Sequence, residues 1–288
     1  MHTPLLVSTE WLAEHRDDVT VRVVDVRWSL LEKGKGRLAY GKEHIPGAVF
    51  VDIDGDLAAP RGLGPGRHPL PTPESFAAAM SRAAIGADTH VVAYDFGDGS
   101  TAARVWWLLR YHGHDRVSLL DGGFNRWHAE ERPVDNAAPA YPPTAFPLAT
   151  RAGMRVDADF VERYRSDPAT LLLDSRMVER YEGRVEPIDP VAGHIPGALN
   201  RPYPANVRSA DDPRFLERGE LREEFTRLGA DRVGRVIAYC GSGVNACQNL
   251  FALQLAGFEP GLLYEGSWSD WCNDSTREVS SARGRVTE

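Results

Sequence analysis

The sequence predicts an α/β protein made of two similar halves, each a parallel sheet flanked by helices. Short runs rich in Val, Leu and Ile alternate with longer amphipathic stretches such as 74–83 (ESFAAAMSRA) and 219–230 (GELREEFTRLGA). That alternation is typical of βαβ units, in which helices cover the faces of a parallel sheet. The chain has 288 residues, a length that favours about two domains.

Four segments of the first half return in the same order in the second half, with a period of roughly 150 residues. The pairs are 23–27 (VVDVR) with 172–176 (LLDSR), 44–48 with 194–198 (both HIPGA), 91–95 (VVAYD) with 236–240 (VIAYC), and 119–127 (LLDGGFNRW) with 262–271 (LLYEGSWSDW). Between the copies, 136–150 (NAAPAYPPTAFPLAT) contains four prolines, which cannot continue a helix or a central strand. We therefore predict domains at 1–135 and 151–288, joined by a Pro-rich linker at 136–150.

Composition excludes several functional classes. A net charge of -8 leaves no basic footprint for nucleic acid, and no run reaches the roughly 18 apolar residues that predict a membrane span. The first residues lack the charged and apolar regions of a secretory signal. Only three cysteines are present, without paired metal-ligand spacing, so we predict no disulfide framework, no metal and no cofactor. The expected location is the cytoplasm, where thiols stay reduced.

Cys240 is the strongest chemical signal in the chain. It ends an apolar, strand-like run, 233–239 (VGRVIAY), and the loop 240–246 (CGSGVNA) leads directly into a helix-like stretch. Two glycines allow backbone N–H groups to turn inward, and the helix start adds unpaired donors and a positive dipole end. Such a nest binds anions and favours the reactive thiolate. We predict a nucleophile at Cys240, in a site lined by Gly241, Gly243, Val244, Asn245 and Ala246.

The alternative interpretation of Cys240 is that it merely ends a buried strand, because unpaired cysteines are often buried. A plain strand end does not need the Gly-Ser-Gly that follows, which favours the chemical role. Cys247 falls on the apolar face of the following helix pattern, so we predict a packing role for it. Cys272 lies in a Trp-rich segment and gives no signal.

The paired HIPGA segments, the two similar halves and the CGSGVNA loop resemble the tandem-domain rhodanese family of sulfurtransferases. Within that family, a CGSG loop is similar to that of the 3-mercaptopyruvate sulfurtransferases, whereas thiosulfate-using members more often carry a basic loop of the CRKGVT type. The resemblance implies a Cys240 persulfide that is formed from mercaptopyruvate and passed to a thiol or cyanide. A thioredoxin-like reductant is a further expected partner. The resemblance also implies that only the second half is catalytic, because Asp95 stands where the second half has Cys240.

The same resemblance implies roles for residues outside the loop. Ser242, His68 and Asp54 match a proton relay that would protonate the carbon released from a mercapto acid, and a histidine can work near neutral pH. The alternative is that these are ordinary loop residues.

Arginines are expected at the substrate carboxylate, because a guanidinium group matches carboxylate geometry. Arg180 matches the first substrate-binding arginine of the family. The second family arginine is not matched, because Ile188 and Asp189 stand at that place, and Arg184 is the expected substitute. The alternative for Arg180 and Arg184 is a solvated surface charge. Asn245 also departs from the family loop, which usually carries Thr there.

Three other functions remain as alternatives. Thiosulfate could replace mercaptopyruvate as the sulfur donor. A cysteine phosphatase also places a thiolate in a loop after a strand, but it needs an arginine six residues later, where this chain has Ala246. A non-catalytic interaction or sulfur-carrier module is the third possibility, and the intact Cys240 loop argues against it.

His44 and His194, which open the HIPGA segments, are predicted to be structural because the inactive half carries one as well.

Overall fold

The computed structural model describes residues 3–281 and divides them into two compact units. The first unit comprises residues 3–59, 71–152 and 207–215, and the second comprises 60–70, 153–206 and 216–281. Each unit contains one five-stranded parallel sheet with helices. The predicted fold class, two α/β halves with parallel sheets, is confirmed.

The first unit has the strand order β1-β5-β4-β2-β3, and every strand pair is parallel. Its strands are Leu6–Val7 (β1), Val21–Asp25 (β2), Val49–Phe50 (β3), His90–Tyr94 (β4) and Val117–Leu120 (β5). Its helices are Thr9–His15 (α1), Lys35–Lys42 (α2), Pro73–Arg82 (α3), Ala102–Tyr111 (α4) and Gly123–Ala129 (α5).

The second unit repeats this topology with the order β6-β10-β9-β7-β8. Its strands are Arg155–Val156 (β6), Thr170–Asp174 (β7), Leu199–Asn200 (β8), Arg235–Tyr239 (β9) and Leu262–Tyr264 (β10). Its helices are Ala158–Tyr164 (α6), Val178–Tyr181 (α7), Arg218–Arg227 (α8), Ala246–Leu255 (α9) and Ser267–Trp271 (α10), and short 3-10 turns span Ala152–Met154 and Tyr203–Asn206. The central strands β7 and β9 are almost entirely buried, as expected of a sheet covered on both faces.

Local signals explain where the two predicted amphipathic helices begin. The α3 helix starts after Thr72, whose hydroxyl accepts a hydrogen bond from the Ser75 N–H, with Pro73 in the first turn. The α8 helix starts with a capping box between Glu217 and Glu220. Such caps satisfy backbone donors that have no partner inside the helix. The α3 helix lies within one residue of the predicted stretch at both ends, whereas α8 begins one residue before its stretch and ends three residues before the end of it.

The HIPGA histidines occupy equivalent structural positions in the two units. His44 Nδ1 lies 2.8 Å from the Tyr40 carbonyl oxygen, and His194 Nδ1 lies 2.7 Å from the Tyr181 carbonyl oxygen. Each imidazole stacks on the same tyrosine, with ring centroids 4.0 and 3.9 Å apart. These contacts agree with the predicted structural role, because they tie a turn to the helix before it.

Two segments do not follow a simple division of the chain at its middle. Residues 60–70 group with the second unit, where the Arg67 N–H donates a hydrogen bond of 3.0 Å to Ser269 Oγ. Residues 207–215 group with the first unit, where the Phe215 N–H donates to Asp121 Oδ1 at 2.9 Å. The stretch 136–150 contains no helix or strand and groups with the first unit. The boundaries at 135 and 151 stay predictions.

Candidate active site

Cys240 directly follows β9, and α9 begins six residues later. Its side chain lies in the loop at the carboxyl end of a central parallel strand, where ligands bind in open α/β sheets. The residue is 4% exposed, and the Gly243 N–H donates a hydrogen bond of 3.2 Å to Cys240 Sγ. The backbone therefore presents a donor to the sulfur, which is the arrangement that an anionic sulfur requires.

The α10 helix holds the Cys240 loop from the other side. The Cys240 N–H donates to Ser267 Oγ at 3.1 Å, and the Trp268 and Ser269 N–H groups donate to the Cys240 and Gly241 carbonyl oxygens, each at 3.0 Å. Ser267 has a φ of 56°, a left-handed conformation that costs a non-glycine residue energy. The surrounding hydrogen bonds keep this backbone in place and so position the loop.

The two loop glycines are required for different reasons. Gly243 has a φ of 79°, and a Cβ there would lie 2.5 Å from the Glu265 carbonyl oxygen. A Cβ on Gly241 would instead lie 2.8 Å from Arg67 Nη2 and 3.4 Å from Arg180 Nη1. Gly243 therefore allows the turn that presents its N–H to the sulfur, whereas Gly241 leaves room for two guanidinium groups.

The structure brings His68 and Ser242 together. His68 Nδ1 lies 2.7 Å from Ser242 Oγ, and both side chains are buried. This contact exists because the segment 60–70 belongs to the second unit. Asp54 belongs to the first unit, where its carboxylate accepts a 3.0 Å hydrogen bond from Trp28 Nε1. Its place in a proton relay stays a prediction.

Arg180 lies beside the loop, but acidic residues already engage it. Its Nε and Nη2 donate to the Glu186 carboxylate at 2.8–3.1 Å, and its Nη2 also donates to Asp189 Oδ2 at 3.0 Å. Arg184 pairs with Glu182 through a half-exposed side chain, and its role at the substrate stays a prediction.

Arg67 is a site residue that the sequence analysis missed. Its Nη1 donates to the Asp189 carboxylate, and its Nη2 is the atom nearest to the place where a Cβ of Gly241 would stand. The available signal was its position directly before His68 in 66–69 (GRHP). That signal was weak, because a single arginine in a loop is usually a solvated charge.

Glu186 connects Arg180 to a deeper ion pair. It also pairs with Arg176 Nη1 at 3.4 Å, and Arg176 Nη2 pairs with Asp174 at 2.6 Å. Burial alone would lower the pKa of Arg176, but the charge and the hydrogen bond of Asp174 outweigh burial and raise that pKa. The first unit has the same inner pair, with 2.7 Å between Arg27 Nη2 and Asp25 Oδ2. The pair is therefore part of the repeated architecture.

Asp95 fills the equivalent loop of the first unit with its own carboxylate. Oδ1 accepts from the Gly97 and Gly99 N–H groups at 2.9 and 3.0 Å, and Oδ2 accepts from those of Thr101 and Ala102 at 2.9 and 3.2 Å. Burial, to which the charge of Asp98 adds, raises the pKa of Asp95 to about 6. The α4 helix begins seven residues after Asp95, one more than the six residues from Cys240 to the start of α9.

The other two cysteines occupy different environments. Cys247 is buried in α9, and its Sγ donates to the Gly243 carbonyl oxygen at 3.3 Å. Burial raises the pKa of the Cys272 thiol to about 11, so that thiol stays protonated near neutral pH. All three cysteines are free.

Residues 3–281 contain no cluster of metal-ligating side chains, and none of their helices is long and apolar enough to cross a membrane.

Known proteins resemble this chain over nearly its whole length. The rhodanese-like domain family matches twice, at residues 8–130 and 157–274. A probable 3-mercaptopyruvate sulfurtransferase of Pseudomonas aeruginosa is 42% identical over 98% of this chain and 99% of its own. A putative thiosulfate sulfurtransferase of Mycobacterium tuberculosis is 39% identical over 90% of each chain. The crystal structure of SseA from Escherichia coli, described among the 3-mercaptopyruvate sulfotransferases, superimposes with a TM-score of 0.81 at 34% identity, covering 93% of this chain and 100% of that one.

Proposed function

The chain belongs to the rhodanese family of sulfurtransferases, and on that premise we propose that it moves a sulfane sulfur from 3-mercaptopyruvate to a thiol or cyanide acceptor. The observation that carries the proposal is the hydrogen bond of 3.2 Å from the Gly243 N–H to Cys240 Sγ. It places a backbone donor where a thiolate or a persulfide anion needs stabilisation. The guanidinium groups of Arg180 and Arg67, which lie against Gly241, are the candidates to bind the carboxylate of a small mercapto acid.

The first half-reaction transfers sulfur to the enzyme. The Cys240 thiolate attacks the donor sulfur, a sulfur–sulfur bond forms, and the carbon–sulfur bond breaks. The bonding electrons go to the donor carbon as the enolate of pyruvate, which must receive a proton. The Ser242 hydroxyl, 2.7 Å from His68 Nδ1, is the candidate proton donor, with the imidazole replacing its proton.

The second half-reaction removes the sulfur. An acceptor thiolate or cyanide attacks the outer sulfur of the persulfide, and the Cys240 thiolate leaves with the bonding electrons. Because the donor product departs before the acceptor reacts, ping-pong kinetics are expected. A thioredoxin-like protein would serve as a dithiol acceptor, and we expect a cytoplasmic location, where Cys240 stays reduced.

Thiosulfate is the second candidate donor, and the name of the Mycobacterium tuberculosis relative favours it. Attack on its outer sulfur breaks a sulfur–sulfur bond and releases sulfite, which needs no proton. The loop from 240 to 246 contains no basic side chain, so it offers the thiosulfate dianion no fixed cation of its own.

Replacing the nucleophile tests the proposal. In Cys240→Ser, turnover of either donor should fall to background, and incubation with mercaptopyruvate should no longer add the mass of one sulfur atom to the protein. Cys272→Ser is the matched control, because it changes a buried thiol that stays protonated, and it should keep both properties. Persulfide formation or turnover in Cys240→Ser would refute the mechanism.

A further inference from the structure

Asp189 occupies an unusual place beside the candidate nucleophile. Its carboxylate joins two guanidinium groups, accepting from Arg67 Nη1 at one oxygen and from Arg180 Nη2, at 3.0 Å, at the other. The Asp189 side chain is 3% exposed. Both guanidinium groups lie against Gly241, the residue after the nucleophile. A carboxylate of the protein therefore neutralises the two guanidinium groups that lie against the nucleophile loop.

The charges around this carboxylate balance. We define the arginine cluster as three guanidinium groups and three carboxylates connected by ion pairs, namely Arg67, Arg176, Arg180, Asp174, Glu186 and Asp189. These three cations and three anions give the cluster no net charge. Without Asp189, the cluster would carry one positive charge next to the Cys240 loop.

The cluster nevertheless keeps hydrogen-bonding capacity. The Nε of Arg67 is buried and has no hydrogen-bond partner among residues 3–281. A buried N–H group without a hydrogen-bond partner is costly, and an incoming acceptor relieves that cost. The site can therefore offer a hydrogen bond to one oxygen of the sulfur-donating molecule without offering net positive charge.

We propose that Asp189 determines donor specificity, by leaving the arginine cluster able to bind a singly charged mercapto acid while giving no net attraction to a dianion such as thiosulfate. This inference rests on the proposed function, since it concerns the donor bound at the same cysteine. A monoanion gains hydrogen bonds from Arg67 and Arg180 and loses little hydration on entering the site. A dianion loses more hydration on entering and meets no compensating charge.

Asp189→Asn tests this inference, because the amide keeps the shape and one acceptor oxygen but removes the charge. The ratio of kcat/KM for thiosulfate to kcat/KM for mercaptopyruvate should rise roughly 10- to 100-fold, since the added positive charge acts on a donor charge a few ångströms away. Asp189→Glu keeps the charge and should return the ratio towards that of the native protein. An unchanged or lowered ratio in Asp189→Asn would overturn the inference.

Asp159→Asn is the matched control. It removes the same charge from the second unit, at a carboxylate that is 87% exposed and paired with Arg277, so the donor ratio should stay constant. A general effect of net charge would instead move the ratio in both variants, and that result would also overturn the inference.

The native protein supplies a second test that does not depend on a variant folding. With no net charge in the cluster, kcat/KM for thiosulfate should stay flat or rise as ionic strength increases, because salt finds no net attraction at the site to weaken and screens the repulsion between the dianion and a chain of net charge -8. A steep fall with salt would reveal a positive site and refute the role of Asp189. If neither donor adds sulfur to Cys240, the proposed function itself fails, and this inference fails with it.

Discussion

Ser242 is the residue whose role best separates the two candidate donors. Its hydroxyl lies 2.7 Å from His68 Nδ1, and both residues are buried in the second unit. Cleavage of the carbon–sulfur bond of mercaptopyruvate produces a carbanion equivalent that needs a proton, whereas cleavage of thiosulfate releases sulfite without one. A proton donor at Ser242 therefore matters for one donor and not for the other.

Ser242→Ala should lower kcat with mercaptopyruvate by about 10²- to 10⁴-fold, the usual contribution of a positioned acid or base. Turnover of thiosulfate should change only a few-fold, because that reaction needs no proton at carbon. Steady-state kinetics with both donors measure the difference. Ser166→Ala, at an exposed position of the second unit, should alter neither rate. An equal loss with both donors would show that Ser242 only maintains the shape of the loop.

At the scale of an element, the turn from β9 to α9 determines where the sulfur lies. The turn works because Gly243 adopts a φ of 79° and directs its N–H to Cys240 Sγ. Two backbone N–H groups of the α10 helix then donate hydrogen bonds to the carbonyl oxygens of Cys240 and Gly241 and fix this part of the loop. The nucleophile is therefore positioned by the backbone, and the identity of a single glycine decides whether the turn can form.

Gly243→Ala should destabilise the second unit and reduce activity together. The positive φ alone costs an alanine roughly 1–2 kcal/mol, and a Cβ 2.5 Å from the Glu265 carbonyl oxygen adds to that cost. Denaturant unfolding and donor kinetics would measure both effects. Gly234→Ala is the control, because its Cβ would meet no atom closer than 3.8 Å and its φ is not positive. Full stability and activity in Gly243→Ala would contradict the proposed turn.

At the scale of the whole molecule, the two units share one topology but differ at one decisive position. In the first unit Asp95 accepts hydrogen bonds from four backbone N–H groups, so its own carboxylate occupies the anion site. In the second unit the equivalent position holds the sulfur of Cys240, the candidate nucleophile. One persulfide per chain is therefore expected, although the fold occurs twice.

Asp95→Asn should destabilise the first unit by about 2–4 kcal/mol, because the amide nitrogen cannot accept from backbone N–H groups that stay buried. The amount of sulfur released by cyanide should remain one atom per chain. Denaturant unfolding and colorimetric assay of that sulfur would check the two expectations. Asp17→Asn, with a side chain that is 86% exposed, should affect neither. Loss of the persulfide in a folded Asp95→Asn protein would contradict the assignment of the reaction to the second unit alone.

The sequence by itself determined the two-fold α/β plan, the family and the position of Cys240. Those features depend on neighbouring residues, such as the apolar run before Cys240 and the glycines after it, and local patterns of this kind are readable along a chain. Only the tertiary structure decided what surrounds the sulfur. Arg67 and Asp189 are 122 positions apart, and His68 and Ser242 are 174 apart, so their contacts arise from folding. The sequence alone identified Asp189 as a missing arginine, whereas the fold makes it a counter-charge, because it brings two distant guanidinium groups to one carboxylate.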